Sequence, residues 1–188
     1  MDFTDYFLNI GWICIKDASS KEVLDILEFE EIGDTTFEEG YEIIQMNYDQ
    51  PKLLSFKVNN YLFLLGKFYF SSLELIEELI KEVSNKFKSI YCFGLDIWSD
   101  FHCLIKHEDG SFKEVYWKND GVVNSIGEIA KSKFEKLTSD EKTNLILDLS
   151  EIWTVSFTEM EDIINKEEFD SQLIQKKEFN QKTQNKKQ

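Results

Sequence analysis

The chain has 188 residues, of which 42% are hydrophobic and 14% aromatic, and it carries a formal net charge of −15. This length supports one well-packed core, and the apolar content excludes a disordered chain. All 21 basic residues are lysine, so the forked side chain that reads phosphate and guanine is absent, and direct nucleic-acid binding is disfavoured.

The first predicted element is a strand over residues 9–16 with Trp12 at its centre. Ser19 followed by Glu22 has the spacing of a capping box, in which each side chain bonds the other residue's backbone N–H, and it predicts a short helix. The chain opens on acidic residues where a secretory signal would be basic, and it has no apolar run of membrane-spanning length. We therefore expect a cytoplasmic protein with no membrane partner.

The segment from Glu28 to Glu42 is the densest run of one charge in the sequence. Residues 1–50 hold 13 acidic residues against two lysines, a net charge of −11. We expect this segment to be a loop that offers carboxylates to the lysines and arginines of a basic partner, although a purely solubilising role fits the pattern equally well. The candidate interface residues here are Glu28, Glu30, Glu31, Asp34, Glu38, Glu39 and Glu42.

Three further strands and a long helix are predicted before the middle of the chain. The strands cover residues 41–46, 53–58 and 61–70, where β-branched, aromatic and other apolar side chains are concentrated. Ser71 and Glu74 again have capping-box spacing, and they open a helix whose apolar side chains recur every three or four residues.

The stretch 88–117 predicts three consecutive strands, around which we expect the rest of the chain to pack. The first is an almost unbroken apolar run, which is typical of a strand covered on both faces. Asp109-Gly110 supplies the positive-φ dipeptide of a tight hairpin between the second and third strands. Gly94 lies within the first strand, where a glycine indicates a bulge or a close approach by a neighbour.

After a turn signal at residues 119–121 the pattern becomes helical, and we expect C-terminal helices. Residues 9–58 and 61–117 share the order strand, helix, strand, strand. This order predicts an α+β fold from two β-α-β-β units, in one domain over residues 1–170, with an antiparallel or mixed sheet of six to eight strands. Residues 175–188 are polar and rich in Lys, Gln and Asn, and we expect a disordered tail there.

The histidines and cysteines form no metal or nucleophile motif. His102 and His107 are five residues apart on one predicted strand, so they face opposite sides of the sheet. Cys103 and His107 share a face but lie roughly 13 Å apart at about 3.3 Å per residue, too far for a shared zinc ion or a thiolate–imidazolium pair. A neighbouring strand could still supply a partner such as Cys92. We expect reduced core cysteines, no metal and no cofactor.

Two carboxylates beside an aromatic residue are the pattern that best fits an enzyme. Asp96 and Asp100 flank Trp98 at a predicted turn, and general acid–base catalysis needs two carboxyl groups in different environments. An ordinary Asp-rich turn with a packed tryptophan explains the same residues, and neither GxGxxG nor a P-loop occurs. We therefore expect no enzymatic activity. These three residues are candidate binding residues, with a small hydrolase as the alternative.

Three stretches carry a family likeness. They are GWICIKDASSKEVLDILEF at residues 11–29, NYLFLLGKF at residues 60–68, and HEDGSFKEVYWKNDG at residues 107–121 with SIGE shortly after it. In outline, these stretches resemble the small acidic α+β immunity proteins that accompany bacterial polymorphic toxins, over about residues 9–137. The resemblance implies a non-catalytic cytoplasmic protein that binds one toxin and blocks its active site or its folding. It assigns no residue to the toxin contact.

These observations lead to one main hypothesis and two alternatives. The main hypothesis is an immunity-type binding protein whose acidic N-terminal half meets a basic toxin or effector. A phage- or host-encoded inhibitor of a defence protein fits the same physical description. A small hydrolase using Asp96 and Asp100 is the alternative from another class.

Overall fold

A computed structural model describes residues 3–47, 50–166 and 169–177, and these residues form an α+β fold built on one antiparallel sheet. The strands are β1 (Asn9–Lys16), β2 (Phe29–Thr35), β3 (Lys52–Val58), β4 (Tyr61–Gly66), β5 (Ser89–Asp96), β6 (Phe101–Glu108), β7 (Ser111–Asn119), β8 (Val122–Ile126) and β9 (Ser171–Lys176). The helices are α1 (Ser20–Leu27), α2 (Phe37–Met46), α3 (Leu73–Ser84), α4 (Glu128–Ser132), α5 (Ser139–Trp153) and α6 (Phe157–Ile164).

The sheet lies between two layers of helices. Its spatial order is β2-β9-β3-β4-β1-β5-β6-β7-β8, so the described residues give nine strands where the sequence predicts six to eight. Helices α1 and α3 cover one face, and α2, α4, α5 and α6 cover the other. Because both faces are covered, the central strands are apolar along their length, and all six residues of β4 are buried.

The strands of residues 88–117 are confirmed as β5, β6 and β7. Asp109 and Gly110 have φ values of 48° and 77°, as a two-residue hairpin requires. Asp120 and Gly121 repeat this geometry with φ values of 46° and 79°, and they lead into β8 rather than directly into a helix. The prediction missed β8 because this short edge strand has little alternation of apolar and polar residues.

The predicted loop over residues 28–42 and the predicted strand over residues 41–46 are both wrong. Residues 29–35 form β2, and residues 37–46 form the single helix α2. Thr36 and Glu39 make a reciprocal capping box that starts this helix. Phe37, Gly40 and Ile44 are buried at helical spacing, so the apolar residues of this segment follow a period of 3.6 and not 2.

The C-terminal part of the chain adds a strand to the interior of the sheet. β9 lies between β2 and β3, and it includes Gln175 and Lys176, which the sequence assigns to a disordered tail. Residues 178–188 of that predicted tail lie outside the described residues. Since α2 stands between β2 and β3, residues 9–58 differ in element order from residues 61–117, and the internal repeat stays a prediction.

Three glycines lie side by side across the centre of the sheet. Gly66 on β4 and Gly94 on β5 both pair with Gly11 on β1. The Phe70 ring packs directly on this row, and a Cβ atom added at Gly11 would lie 2.0 Å from Phe70 Cγ. The sequence predicts either a bulge or a close approach at Gly94. The rings of Phe70 and Phe101 approach it closely, and the pairing of β5 with β1 and β6 continues through Gly94 without a register shift, so there is no bulge at this residue.

We expect Gly11→Ala to lower the free energy of unfolding by about 1–3 kcal/mol, because the new methyl group must displace the buried Phe70 ring. Gly33→Ala is the matched control, since no atom lies within 4 Å of its added Cβ. The control should change stability by less than about 0.5 kcal/mol. Urea denaturation of both variants measures the difference, and equal midpoints would contradict this account of the glycine row.

Candidate binding surface

The carboxylates of residues 28–42 form a continuous acidic surface along one side of the fold. β2 is the outermost strand, and it pairs on one side with β9. Helix α2 follows β2 after Thr36, so the acids of both elements lie close together along the chain. We call this surface the acidic edge; it comprises the exposed Glu28, Glu31, Asp34, Glu38, Glu39 and Glu42 and the half-buried Glu30.

Local physics explains why acids are tolerated at these positions. Charged side chains on an outermost strand prevent other chains from adding to the sheet. Glu38 and Glu39 lie in the first turn of α2, where the helix dipole favours negative charge. Glu39 also caps the helix, because its Oε2 accepts from the Thr36 backbone N–H at 3.4 Å. Glu39 is therefore partly structural, whereas Glu31, Asp34 and Glu38 carry no such role.

The exposed acids of this edge form no ion pairs in the described part of the chain, although Lys166 and Lys176 lie near some of them. None of the ion pairs there includes any of the six exposed carboxylates. Their mutual repulsion is consequently screened mainly by solvent and salt. A cationic surface that approached this edge would meet several carboxylates at once.

A cleft opens beside the acidic edge. It has a volume of about 610 Å³ and lies between the start of α2 and the segment that follows α6. Asp34, Glu38 and Glu39 contribute three carboxylates to it against the single ammonium of Lys166, while Ile164 and Phe169 contribute apolar surface. A cleft with acidic walls and apolar patches suits a long side chain that has an apolar stem and a cationic head, such as lysine or arginine.

The other three candidate residues lie at the turn between β5 and β6. The backbone N–H groups of Trp98 and Ser99 donate to Asp96 Oδ1 at 3.0 and 3.3 Å, so this carboxylate stabilises the turn. Trp98 is 86% exposed and does not pack in the core. An exposed tryptophan is a common anchor in protein interfaces.

Asp100 has a different environment from Asp96. It accepts hydrogen bonds from Lys118 Nζ and Ser139 Oγ. The bond from Lys118, then the bond from Ser139, holds the pKa of Asp100 below its ordinary value. A general acid needs the opposite shift, so Asp100 is unsuited to the role of the acid in the hydrolase hypothesis.

The structure therefore separates the candidate residues into two groups. β2 and β5 are five strand positions apart in the sheet, roughly 24 Å at about 4.8 Å per strand. A partner large enough to cover the acidic edge reaches the Trp98 turn only by spanning most of the sheet. We assign the acidic edge as the candidate site, and the Trp98 turn is a separate surface.

His102 lies at the centre of a polar cluster that sequence patterns do not reveal. Its Nδ1 is 3.2 Å from the carbonyl oxygen of Asp100, and its Nε2 is 3.2 Å from the carbonyl oxygen of Ser139 and 3.3 Å from Thr143 Oγ1. Ser139 and Thr143 belong to α5, 37 and 41 residues along the chain, so no local motif marks them.

This cluster has the residue types of a serine hydrolase and part of its geometry, because His102 lies between Asp100 and Ser139. In a catalytic triad the carboxylate orients the histidine, and the serine hydroxyl is free to attack the substrate. Here His102 Nδ1 is 3.5 Å from Asp100 Oδ1, and His102 Nε2 is 3.5 Å from Ser139 Oγ. The Ser139 hydroxyl donates to Asp100, however, and His102 Nε2 is closer to the Ser139 carbonyl oxygen, at 3.2 Å, so the hydroxyl is not held for attack on a substrate. We interpret the cluster as a set of hydrogen bonds that joins β6 to the start of α5.

His102 also predicts a pH dependence of stability. Burial lowers its pKa below the ordinary value of 6.5, although the nearby Asp100 carboxylate opposes the shift. As pH falls below about 6.5, His102 therefore binds a proton in the unfolded chain before it does so in the folded chain, and stability decreases.

We expect His102→Gln to show a shallower loss of stability than the parent between pH 7 and pH 5, measured by urea denaturation at each pH. Parallel curves would contradict this assignment. His107, whose pKa is also lowered by burial, accounts for the slope that remains.

The three cysteines are buried and free, as predicted. Burial raises the pKa values of Cys14 and Cys92 well above the ordinary value, which keeps both thiols protonated and unreactive. Cys92 lies near Cys103 across the β5–β6 pair, so the possible neighbour of Cys103 is another thiol and not a histidine. Within the described ranges, no group of three or more His, Cys, Asp or Glu side chains has the arrangement of a metal site.

No helix in the described part of the chain combines the length and apolar character needed to cross a bilayer. Comparisons with protein-family models, with curated proteins and with solved structures returned no match to this chain.

Proposed function

We propose that this protein is a non-catalytic cytoplasmic binding protein of the immunity type, which neutralises a basic toxin or effector through its acidic edge. The observation that carries the proposal is the set of six exposed carboxylates that form no ion pairs among the described residues, beside a cleft of about 610 Å³. An unpaired cluster of one sign favours encounter with a surface of the opposite sign.

The edge and its cleft would contribute differently to binding. Exposed charges such as Glu31 and Asp34 mainly accelerate and orient the encounter, and they add little affinity because water screens them. The apolar surface of Ile164 and Phe169 in the cleft, together with Ile32 on β2, supplies area that a partner side chain can bury. Charge would set the association rate, and the cleft would set the dissociation rate.

Immunity-type binding is supported by two features beside charge. The first is the family likeness of residues 9–137. The second is the polar cluster around Asp100, which favours a role without catalysis. Lys118 holds the Asp100 carboxylate ionised, and the Ser139 hydroxyl donates to that carboxylate. A phage- or host-encoded inhibitor of a defence protein would use the same surface. The gene neighbourhood distinguishes the two, because an immunity gene lies beside its toxin gene.

An affinity pull-down from the native host, repeated at low and high salt, tests the proposal. The edge variant carries Glu31→Gln, Asp34→Asn and Glu38→Gln. The matched control carries Asp25→Asn, Glu78→Gln and Asp148→Asn, which remove the same charge from exposed positions on α1, α3 and α5.

We expect one dominant basic partner, retained by the parent and the control, and released by salt. The association rate of the edge variant should fall by about 10-fold or more. If the edge variant and the control retained the partner equally at both salt concentrations, the acidic edge would not be the binding surface. If the pull-down recovered no protein partner from the host, the binding function itself would be contradicted.

A further inference from the structure

A small polar cavity lies on the face that α1 and α3 cover, at the end of the central strands. Its volume is about 170 Å³, and it is bounded by the ends of β1 and β5, the segment after β4, and the β5–β6 turn. The side chains that matter here are Asn9, Lys67, Phe70, Asp96, Phe101 and Asn119. The acidic edge is about five strands away, so this cavity is a separate feature.

The glycine row shapes this cavity. Gly11 and Gly94 carry no side chains, and the rings of Phe70 and Phe101 occupy the space above them. A Cβ atom added at Gly94 would lie 2.8 Å from Phe101 Cε1 and 3.1 Å from Phe70 Cδ1. The two rings therefore lie close to the backbone of the sheet. They form the apolar walls of the cavity, next to the polar side chains of Asn9, Lys67 and Asp96.

Two opposite charges line the cavity without pairing to each other. Lys67 is half-buried and makes no ion pair with any residue that the structure describes. Asp96 uses Oδ1 for the Trp98 and Ser99 backbone, and no described residue bonds its Oδ2. A ligand that carries both an ammonium and a carboxylate could therefore pair with each of these charges.

An orphaned acceptor accompanies these charges. The carboxamide oxygen of Asn9 is buried and has no hydrogen-bond partner among the described residues. A buried acceptor without a donor costs free energy, and a ligand donor would recover it once the Asn9 side chain turns toward the cavity. Asn9 and Asp96 are directly paired across β1 and β5, so the orphaned oxygen and the free carboxylate oxygen belong to neighbouring residues.

We propose that this cavity binds a small zwitterion of the α-amino acid class. The ligand ammonium would face Asp96, and the Asn9 carboxamide would turn to accept from it. The ligand carboxylate would face Lys67, and an apolar side chain would contact Phe70 and Phe101. A cavity of about 150 Å³ holds a benzene molecule, so about 170 Å³ suits an amino acid of moderate size. A purely cationic or anionic ligand would leave one of the two charges uncompensated.

Calorimetric titration of the purified full chain with each standard amino acid, up to about 10 mM, tests the proposal. The N-acetyl and methyl ester derivatives of the best ligand remove its ammonium and its carboxylate in turn. Lys67→Met and Asp96→Asn remove the protein charges. Asp96→Asn retains an oxygen that can accept from Trp98, so the turn is preserved. Lys57→Met is the control, since Lys57 is exposed and lines none of the described cavities.

We expect saturable binding of at least one free amino acid, and a loss of affinity of about 10-fold or more in both derivatives and in both cavity variants. The Lys57→Met control should bind like the parent. Absence of heat from every amino acid would overturn the proposal. Binding that survives acetylation of the ligand, or that Lys67→Met leaves unchanged, would also overturn it. None of these results depends on the acidic edge or on its partner.

Discussion

Ending the chain after Asp170 is expected to abolish the cooperative unfolding of this protein. The truncation removes β9, which pairs with β2 on one side and with β3 on the other. Leu173 and Ile174 of β9 are buried in the cores on opposite faces of the sheet. Without β9 the backbone groups on one side of β3 lose their partners, while the pairing of β3 with β4 remains, and β2 loses its pairing to the rest of the sheet.

Circular dichroism and urea denaturation of the truncated chain measure this effect. The control ends after Lys177, which keeps β9 intact and removes residues 178–188. We expect the control to unfold at the same urea concentration as the full chain. Wild-type unfolding of the chain that ends after Asp170 would contradict the central position of β9. A large loss in the control would instead show that the predicted polar tail contributes to the fold.

Trp12→Ala is expected to lower the free energy of unfolding by about 3–5 kcal/mol, a large fraction of the stability of a domain of this size. Trp12 is 1% exposed at the centre of β1. Its ring stacks on Phe93 with centroids 5.5 Å apart, and it meets Phe7 edge to face at 5.0 Å. The substitution leaves a cavity that neighbouring strands cannot close, because the sheet holds their backbones in place.

Trp98→Ala is the matched control for Trp12→Ala. The same side chain is removed from a position that is 86% exposed, and we expect a change of less than about 0.5 kcal/mol. Urea denaturation of the two variants gives the comparison. Similar losses in both would mean that Trp98 packs in the fold. A stable Trp98→Ala variant also allows the Trp98 turn to be tested as a partner contact without a loss of folded protein.

Local patterns predicted much of the scaffold. β1, α1 and the three strands of residues 88–117 follow from apolar runs, one capping box and one Asp-Gly turn. These signals act over a few residues, because capping and tight turns depend on neighbours in the chain. The long helix α3 was predicted with a start one residue early, since Ser72 and not Ser71 caps it.

Prediction failed where distant contacts decide the structure. In β9 the sequence SQLIQK offers only two apolar residues, and its polar composition suggests a tail. The strand forms because β2 and β3 supply partners on both sides; Ser171 Oγ, for example, donates to the Thr35 carbonyl oxygen at 2.6 Å, 136 residues away in the chain. Backbone pairing of this kind has no signature in the segment itself.

The candidate site shows the same division. The sequence by itself determined the charge of residues 28–42, the absence of arginine and the apolar character of the central strands, because these are properties of composition. Only the tertiary structure decided that the acids lie along an outer strand and a helix beside a cleft, that Asp100 is neutralised by Lys118, and that Asn9, Lys67 and Asp96 share one cavity. The physical reason is that a charge is carried by a residue, whereas its pairing and burial depend on which distant segments the sheet brings together.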